Sequence, residues 1–360
     1  MTYTHDELTN RLKEKITHTT KGELNILYKG IPFEEERRGL DPRVKRFLME
    51  HVHPGARRPL EIDDLEVTRS KVEVNNRDLS SGIRATKTSV HADRREINVT
   101  IYNQQKKPQP VLIYLHGGGF FERDVDVMEN VCRLLAQKAE ALVVGVEYRL
   151  APEHPYQDGL EDCLEAVKFI YEHADEYGVR TNQIGIVGDS VGANLALAVQ
   201  HLSTDEPWQI CYIGMLCPLV DFSDVSRESW NITHYDLDTD YELIYEELVT
   251  LKESLIFIQT LYLTNLEDVH LPLVSPLLRK DKSSLPPITL ITAEFDYLRI
   301  QGEAFSRQLQ KAGVPFRHFE YKGMDHAFVR KLGYYPQAAD AISEIAAHFK
   351  QVLKKANNDL

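Results

Sequence analysis

Ile184-Gly185-Ile186-Val187-Gly188-Asp189-Ser190-Val191-Gly192-Ala193-Asn194-Leu195-Ala196-Leu197 is the stretch that decides the fold. A short apolar run ends in a serine framed by glycines two residues to either side, and an Ala/Leu-rich helical pattern follows at once. A side chain at either glycine would crowd strand against helix, so the spacing predicts a close strand-to-helix turn with the Ser190 hydroxyl lifted clear. The dipole of the following helix favours negative charge beside that hydroxyl. A serine so placed either caps the helix or attacks a substrate; the strand before it and the helix after it favour attack.

The second motif, His116-Gly117-Gly118-Gly119-Phe120, follows the short apolar run at 111–115. Consecutive glycines let loop N–H groups turn inward toward a developing oxyanion, and Gly117, Gly118 and the Val191 amide are the expected donors. A phosphate cradle fits less well, because neither a Gly-Lys-Ser/Thr ending nor a G-x-G-x-x-G spacing is present. His116, lying before the glycines, is expected to order the loop. Serine at neutral pH needs a base and an orienting acid. Glu294 and Asp296 follow the predicted strand at 288–293, and Asp325 and His326 follow the one at 316–321, which gives the order serine, acid, histidine. Among fourteen histidines His326 is favoured as base, because Gly323-Met324-Asp325-His326-Ala327-Phe328 reads as a turn at the carboxyl edge of a sheet.

Around these motifs the apolar patterning predicts strands at 94–102, 111–115, 141–148, 184–187, 209–216, 288–293 and 316–321. Helices are predicted at 6–17, 42–53, 128–140, 159–177, 191–202, 241–263, 302–311 and 337–353. The strand at 94–102 alternates as an antiparallel edge strand would. Strand–helix alternation implies parallel pairing with right-handed crossovers, hence a three-layer α/β sandwich whose mostly parallel central sheet is buried on both faces. Residues 91–217 and 286–360 are expected to form this core. Residues 1–90, poor in core strands, and the insertion 218–285 are expected to be helical material forming a cap.

A formal net charge of −13 disfavours nucleic acid and anionic membranes as partners. No apolar run approaches the length of a membrane span, and the opening MTYTHDELTNRLKEK lacks the basic and apolar regions of a secretory signal. Cys132, Cys163, Cys211 and Cys217 are unclustered, as buried free thiols of a reducing compartment would be, so a cytoplasmic location is expected.

With Tyr148-Arg149-Leu150-Ala151-Pro152-Glu153-His154-Pro155 and Asp296-Tyr297-Leu298-Arg299 added to the glycine motifs and His326-Ala327-Phe328, the chain closely resembles the hormone-sensitive-lipase-like family of α/β-hydrolases, the branch with many microbial carboxylesterases. The resemblance spans about residues 110–330; the first ninety residues carry no family signature. It implies an α/β-hydrolase fold, nucleophile Ser190, acid Asp296, base His326 and oxyanion donors Gly117, Gly118 and Val191. It further implies that residues 148–155 brace the loops beneath the site, and that short to medium acyl esters are hydrolysed with no cofactor or metal. Val191, Ala193 and Ile300 depart from the family's usual residues. The implied partner is a small-molecule ester; assembly with further copies of the chain stays open. An amidase or lactonase would use the same groups, and a non-catalytic small-molecule receptor could share the fold.

Overall fold

The computed structural model describes residues 3–51, 62, 65–70, 76–92, 95–122, 126–223 and 230–358. Residues 52, 53 and 94 of the predicted elements, and 224–229 of the predicted insertion, lie outside them. In chain order the elements are α1 (His5–Glu14), β1 (Ile16–Lys21), β2 (Leu24–Lys29), α2 (Pro42–His51), α3 (Leu65–Ser70), β3 (Ala85–Ala92), β4 (Arg95–Tyr102) and β5 (Gln109–Leu115). There follow α4 (Glu129–Ala139), β6 (Leu142–Val146), α5 (Asp158–Glu172), α6 (Ala174–Tyr177), β7 (Val179–Asp189), α7 (Val191–Leu202) and β8 (Ile210–Leu216). After α8 (Tyr241–Tyr262) the chain returns to β9 (Ile288–Phe295), α9 (Arg299–Ala312), β10 (Phe316–Asp325) and α10 (Pro336–Asn358).

The strands form one sheet in the order β1-β2-β10-β9-β8-β7-β5-β6-β4-β3. Pairing is parallel from β2 through β6 and antiparallel at β1/β2, β6/β4 and β4/β3. The central strands are near-continuous apolar runs, with every residue of β6 and β9 buried, because helices cover both faces. Helix α7 is buried from Val191 to Gln200 and packs on β7, β8, β5 and α5; α4 and α10 pack together. This is the expected α/β-hydrolase sandwich.

The amino-terminal segment departs from its expected helical character. Residues 16–29 make the hairpin β1–β2, which extends the sheet by pairing Leu27–Lys29 with Phe319–Tyr321 of β10. Lys29 is buried and ion-paired to Asp340 (2.9 Å) and Glu344 (2.6 Å) of α10, so the hairpin is tied to the other end of the chain. At the opposite edge β3 lies outside β4, which is therefore antiparallel but not the edge strand. The predicted helix 159–177 breaks at His173 into α5 and α6.

Candidate active site

Parallel order places the carboxyl ends of β5, β7, β8, β9 and β10 side by side, and the chemistry-bearing residues stand at those ends. Between β7 and α7, Ser190 has φ 53° and ψ −118°, a strained conformation for a residue with a side chain. Gly192 makes the turn fit: a Cβ there would run into the carbonyl oxygen of Leu115 on β5. The Ser190 amide is spent on the Leu216 carbonyl (2.8 Å), and the residue is only partly buried.

His326, just past β10, brings Nε2 to 3.2 Å from Ser190 Oγ, and its Nδ1 donates to Asp296 Oδ2 at 2.9 Å. Asp296 follows β9, is fully buried, and takes a second bond from the Leu298 amide to Oδ1 (2.8 Å). Its main-chain carbonyl accepts from the Tyr235 hydroxyl (3.1 Å). Burial pulls the His326 imidazole down, but the Asp296 carboxylate, by charge and hydrogen bond, together with Asp189 and Asp325, raises it above its ordinary value. Beside it, burial and the Glu247 charge push the Asp325 carboxyl up to about 7. Glu294, the other acid left open by the sequence, holds the Gly323 amide (2.8 Å) and pairs with Lys322. It braces the loop before His326. Gly323, at φ 74°, lies where a Cβ would meet Ile31 and the Asp41 amide, and its carbonyl accepts from that amide (2.9 Å).

The glycine loop differs from expectation at one position. The Gly117 amide donates to Asp189 Oδ1 (3.0 Å), which also accepts from the Tyr114 hydroxyl (2.8 Å). Gly117 is thus an anchor and is not available as an oxyanion donor. Gly118 and Gly119 follow at φ 97° and 60°, and among the described residues neither amide has a protein acceptor. Val191 N–H, at the first turn of α7 directly after Ser190, stands at a helix N-terminus where backbone donors have no intrahelical partner. His116 stacks on Tyr148 (centroids 4.3 Å apart) and bonds the Gly117 carbonyl through Nδ1 (2.7 Å); burial pulls its imidazole down. Residues 148–155 brace this loop. Tyr148 donates to the His116 carbonyl (2.7 Å), and the Ala151 amide to that of Phe120 (2.9 Å). Arg69 of α3 clamps the Phe121 and Ala151 carbonyls (2.7 Å each) and forks onto Glu153.

Three further groups escaped the sequence reading. Tyr262 of α8 stacks flat on Phe120 (3.7 Å, 3°), with Phe222 6.0 Å from Phe120, making an aromatic wall behind the glycine loop. Asp189 and Tyr114 set the loop's register. Cys217, the residue after β8, lies in hydrogen-bond contact with Asp296, and burial, then the Asp296 charge, pushes its thiol well up. Only the position of Asp189 inside the Gly-x-Ser-x-Gly string was a signal for any of these.

Residues 112–330 match the family model described as the α/β hydrolase fold. The chain belongs to the α/β-hydrolase fold family. It is 31% identical over 237 residues to an arylesterase of Saccharolobus solfataricus, covering 65% of this chain and 73% of that one. Among solved structures it is similar to a hyperthermophilic esterase from the archaeon Pyrobaculum calidifontis (28% identity, TM-score 0.71, covering 88% and 99% of the two chains). An ester-hydrolase from the metagenome of Lake Arreo, complexed with a derivative of bipyridine phosphonate, aligns with TM-score 0.76 at 26% identity over 88% of this chain and 99% of that one. Among the described residues no helix is long and apolar enough to cross a membrane.

Proposed function

We propose that the protein is a serine carboxylesterase of the hormone-sensitive-lipase-like branch, acting on short to medium acyl esters through an acyl-enzyme. The observation that carries this reading is the chain of contacts from Ser190 Oγ through His326 to Asp296 at 3.2 and 2.9 Å, beside two unpaired glycine amides. Ser190 Oγ attacks the ester carbonyl as His326 Nε2 takes its proton, and Asp296 holds the imidazolium. The amides of Gly118, Gly119 and Val191 stabilise the tetrahedral oxygen. His326 then returns the proton to the departing alcohol, and water repeats the sequence on the acyl group. The esterases among its relatives support an ester as substrate.

The cap of this enzyme comprises the insertion 218–285 and the part of the amino-terminal segment around α2. These two segments are joined by ion pairs of Asp240 with Lys45 (2.6 Å) and Arg37 (3.4 Å), and by Arg38 with Asp236 (2.8 Å). The four unpaired cysteines support a reducing, cytoplasmic compartment. The deciding experiment is Ser190→Ala, expected to abolish turnover of a soluble p-nitrophenyl ester and labelling by a serine-directed phosphonate while leaving the fold intact. Near-parent turnover by the folded variant would overturn the reading.

A further inference from the structure

Behind the Asp296–His326 pair lies a group that ester hydrolysis does not use. Cys217 stands at the end of β8 with φ 44°, its amide bonded to the Ile291 carbonyl (2.8 Å), which turns its side chain toward the residues that follow β9 and β10. Its sulfur, a carboxylate oxygen of Asp296 and a ring nitrogen of His326 all lie within 4.8 Å of one another. Thiolate, carboxylate and imidazole are a donor set for a soft or borderline divalent cation, and three protein ligands leave a fourth position for water.

We propose that Cys217, Asp296 and His326 form an inhibitory site for Zn2+ or a similar thiophilic divalent cation. Tetrahedral zinc holds its donors at about 2.0 to 2.3 Å, hence ligand atoms about 3.3 to 3.8 Å apart, so closing the cluster onto one ion requires side-chain movements of about 1 Å. Charge balances: the cation's two positive charges meet one thiolate and one carboxylate. The thiol proton leaves to solvent. The imidazole proton, which Nδ1 donates to Asp296 in the free enzyme, moves to Nε2 as the cation takes the Nδ1 lone pair. Nε2 then faces Ser190 Oγ as a donor and has no lone pair for the serine proton, so the cation silences the base by imposing the wrong tautomer. The path in runs along the His326 imidazole, 22% exposed, since Asp296 is fully covered and Cys217 nearly so.

This inference rests on His326 acting as the base, and the test separates the two. Full-length enzyme freed of metal is titrated with ZnCl2 while ester turnover is followed, each variant referred to its own metal-free rate. Cys217→Ala and Cys217→Ser should each need at least about tenfold more Zn2+ for half-inhibition than the parent. The serine variant, close to isosteric, serves if the alanine variant fails to fold. Independently of activity, Ser190→Ala titrated with Co2+ should develop a thiolate-to-cobalt charge-transfer band that Ser190→Ala/Cys217→Ser lacks. Equal zinc sensitivity in the Cys217 variants, or a band that survives the loss of Cys217, overturns the site. If Ser190→Ala retains turnover, the esterase reading falls while the cobalt band still decides the metal site.

Discussion

Replacing Asp189 by alanine tests how the glycine loop is held against the nucleophile. Its buried carboxylate accepts the Tyr114 hydroxyl at 2.8 Å and the Gly117 amide at 3.0 Å, so the residue beside Ser190 in sequence also carries the loop from the neighbouring strand. Hydrogen bonds to a charged acceptor contribute about 1.5–3 kcal/mol each, so losing both costs roughly 3–6 kcal/mol, a large part of a typical stability of about 5–15 kcal/mol. Turnover should fall as well, because a freed Gly117 lets the Gly118 and Gly119 amides drift; one lost oxyanion donor costs about 10²- to 10³-fold. Tyr114→Phe provides the contrast. It removes one of the two bonds, about 1.5–3 kcal/mol, yet leaves Gly117 tethered, so stability should drop while kcat stays within a few-fold of the parent. Urea midpoints and kcat/KM on a soluble p-nitrophenyl ester, measured on both variants at a temperature where both are folded, separate these effects. Asp189→Ala with kcat/KM within tenfold of the parent would refute the anchoring argument.

Asp296→Asn should lower kcat about 10⁴-fold with the fold retained, since an amide selects the wrong imidazole tautomer, whereas Glu294→Gln should mainly weaken stability; steady-state kinetics with thermal melts would expose an exchange of roles. The acid limb of log kcat/KM should have its midpoint above the ordinary histidine value of about 6.5, because the base is lost as pH falls through a raised His326 pKa. Asp325→Asn removes a lesser charge that raises it, and because the Asp325 carboxyl itself titrates at about 7 only its ionised fraction counts there, so the midpoint should move to lower pH by less than a fully ionised neighbour would give; a shift to higher pH would contradict that coupling. Along a series of soluble esters from acetyl to decanoyl, each buried methylene is worth about 0.8 kcal/mol, about fourfold in kcat/KM, and the rise should stop after a few carbons at the Phe120, Phe222 and Tyr262 wall. Tyr262→Ala should shift the optimum to longer chains, and a parent profile climbing steadily through decanoyl would exclude a short pocket.

The turn at Ser190 was readable because its causes are local: an apolar strand, two glycines at fixed offsets and an Ala/Leu helix all lie within fourteen residues. The order serine, acid, histidine was legible because polar residues follow two buried strands, but strand ends alone left Glu294 beside Asp296; it is tertiary contact that sets Asp296 against His326 and Glu294 against the Gly323 amide. The hairpin β1–β2 was not readable, for a physical reason. Ile16–Lys21 is a threonine-rich edge strand with no buried residue, so neither an apolar run nor an alternation announced it. Its place is decided by β2, whose Lys29 finds its carboxylates in α10 more than three hundred residues away. β3 went unseen for the same reason, since Ala85–Ala92 at the opposite edge carries mostly small and polar side chains.

The exchange of Gly119 for Gly117 as the expected donor shows where reading a motif stops. Consecutive glycines say that amides can point inward, and each amide in the string is chemically the same. What distinguishes them is a carboxylate delivered by the adjacent strand: β5 and β7 pair Leu115 with Gly188, so Asp189 arrives level with His116, and its carboxylate reaches one residue on to consume the N–H of Gly117. A buried amide that already has a charged acceptor gains little from a developing oxyanion and would have to surrender that bond to reach it. Among the described residues the amides without a protein acceptor therefore begin one residue later, at Gly118, where the backbone runs at φ 97° and then 60°. Register between two strands, a tertiary property, thus decides which of three identical residues has its amide already spent, and the same carboxylate that holds Gly117 also raises the His326 imidazole.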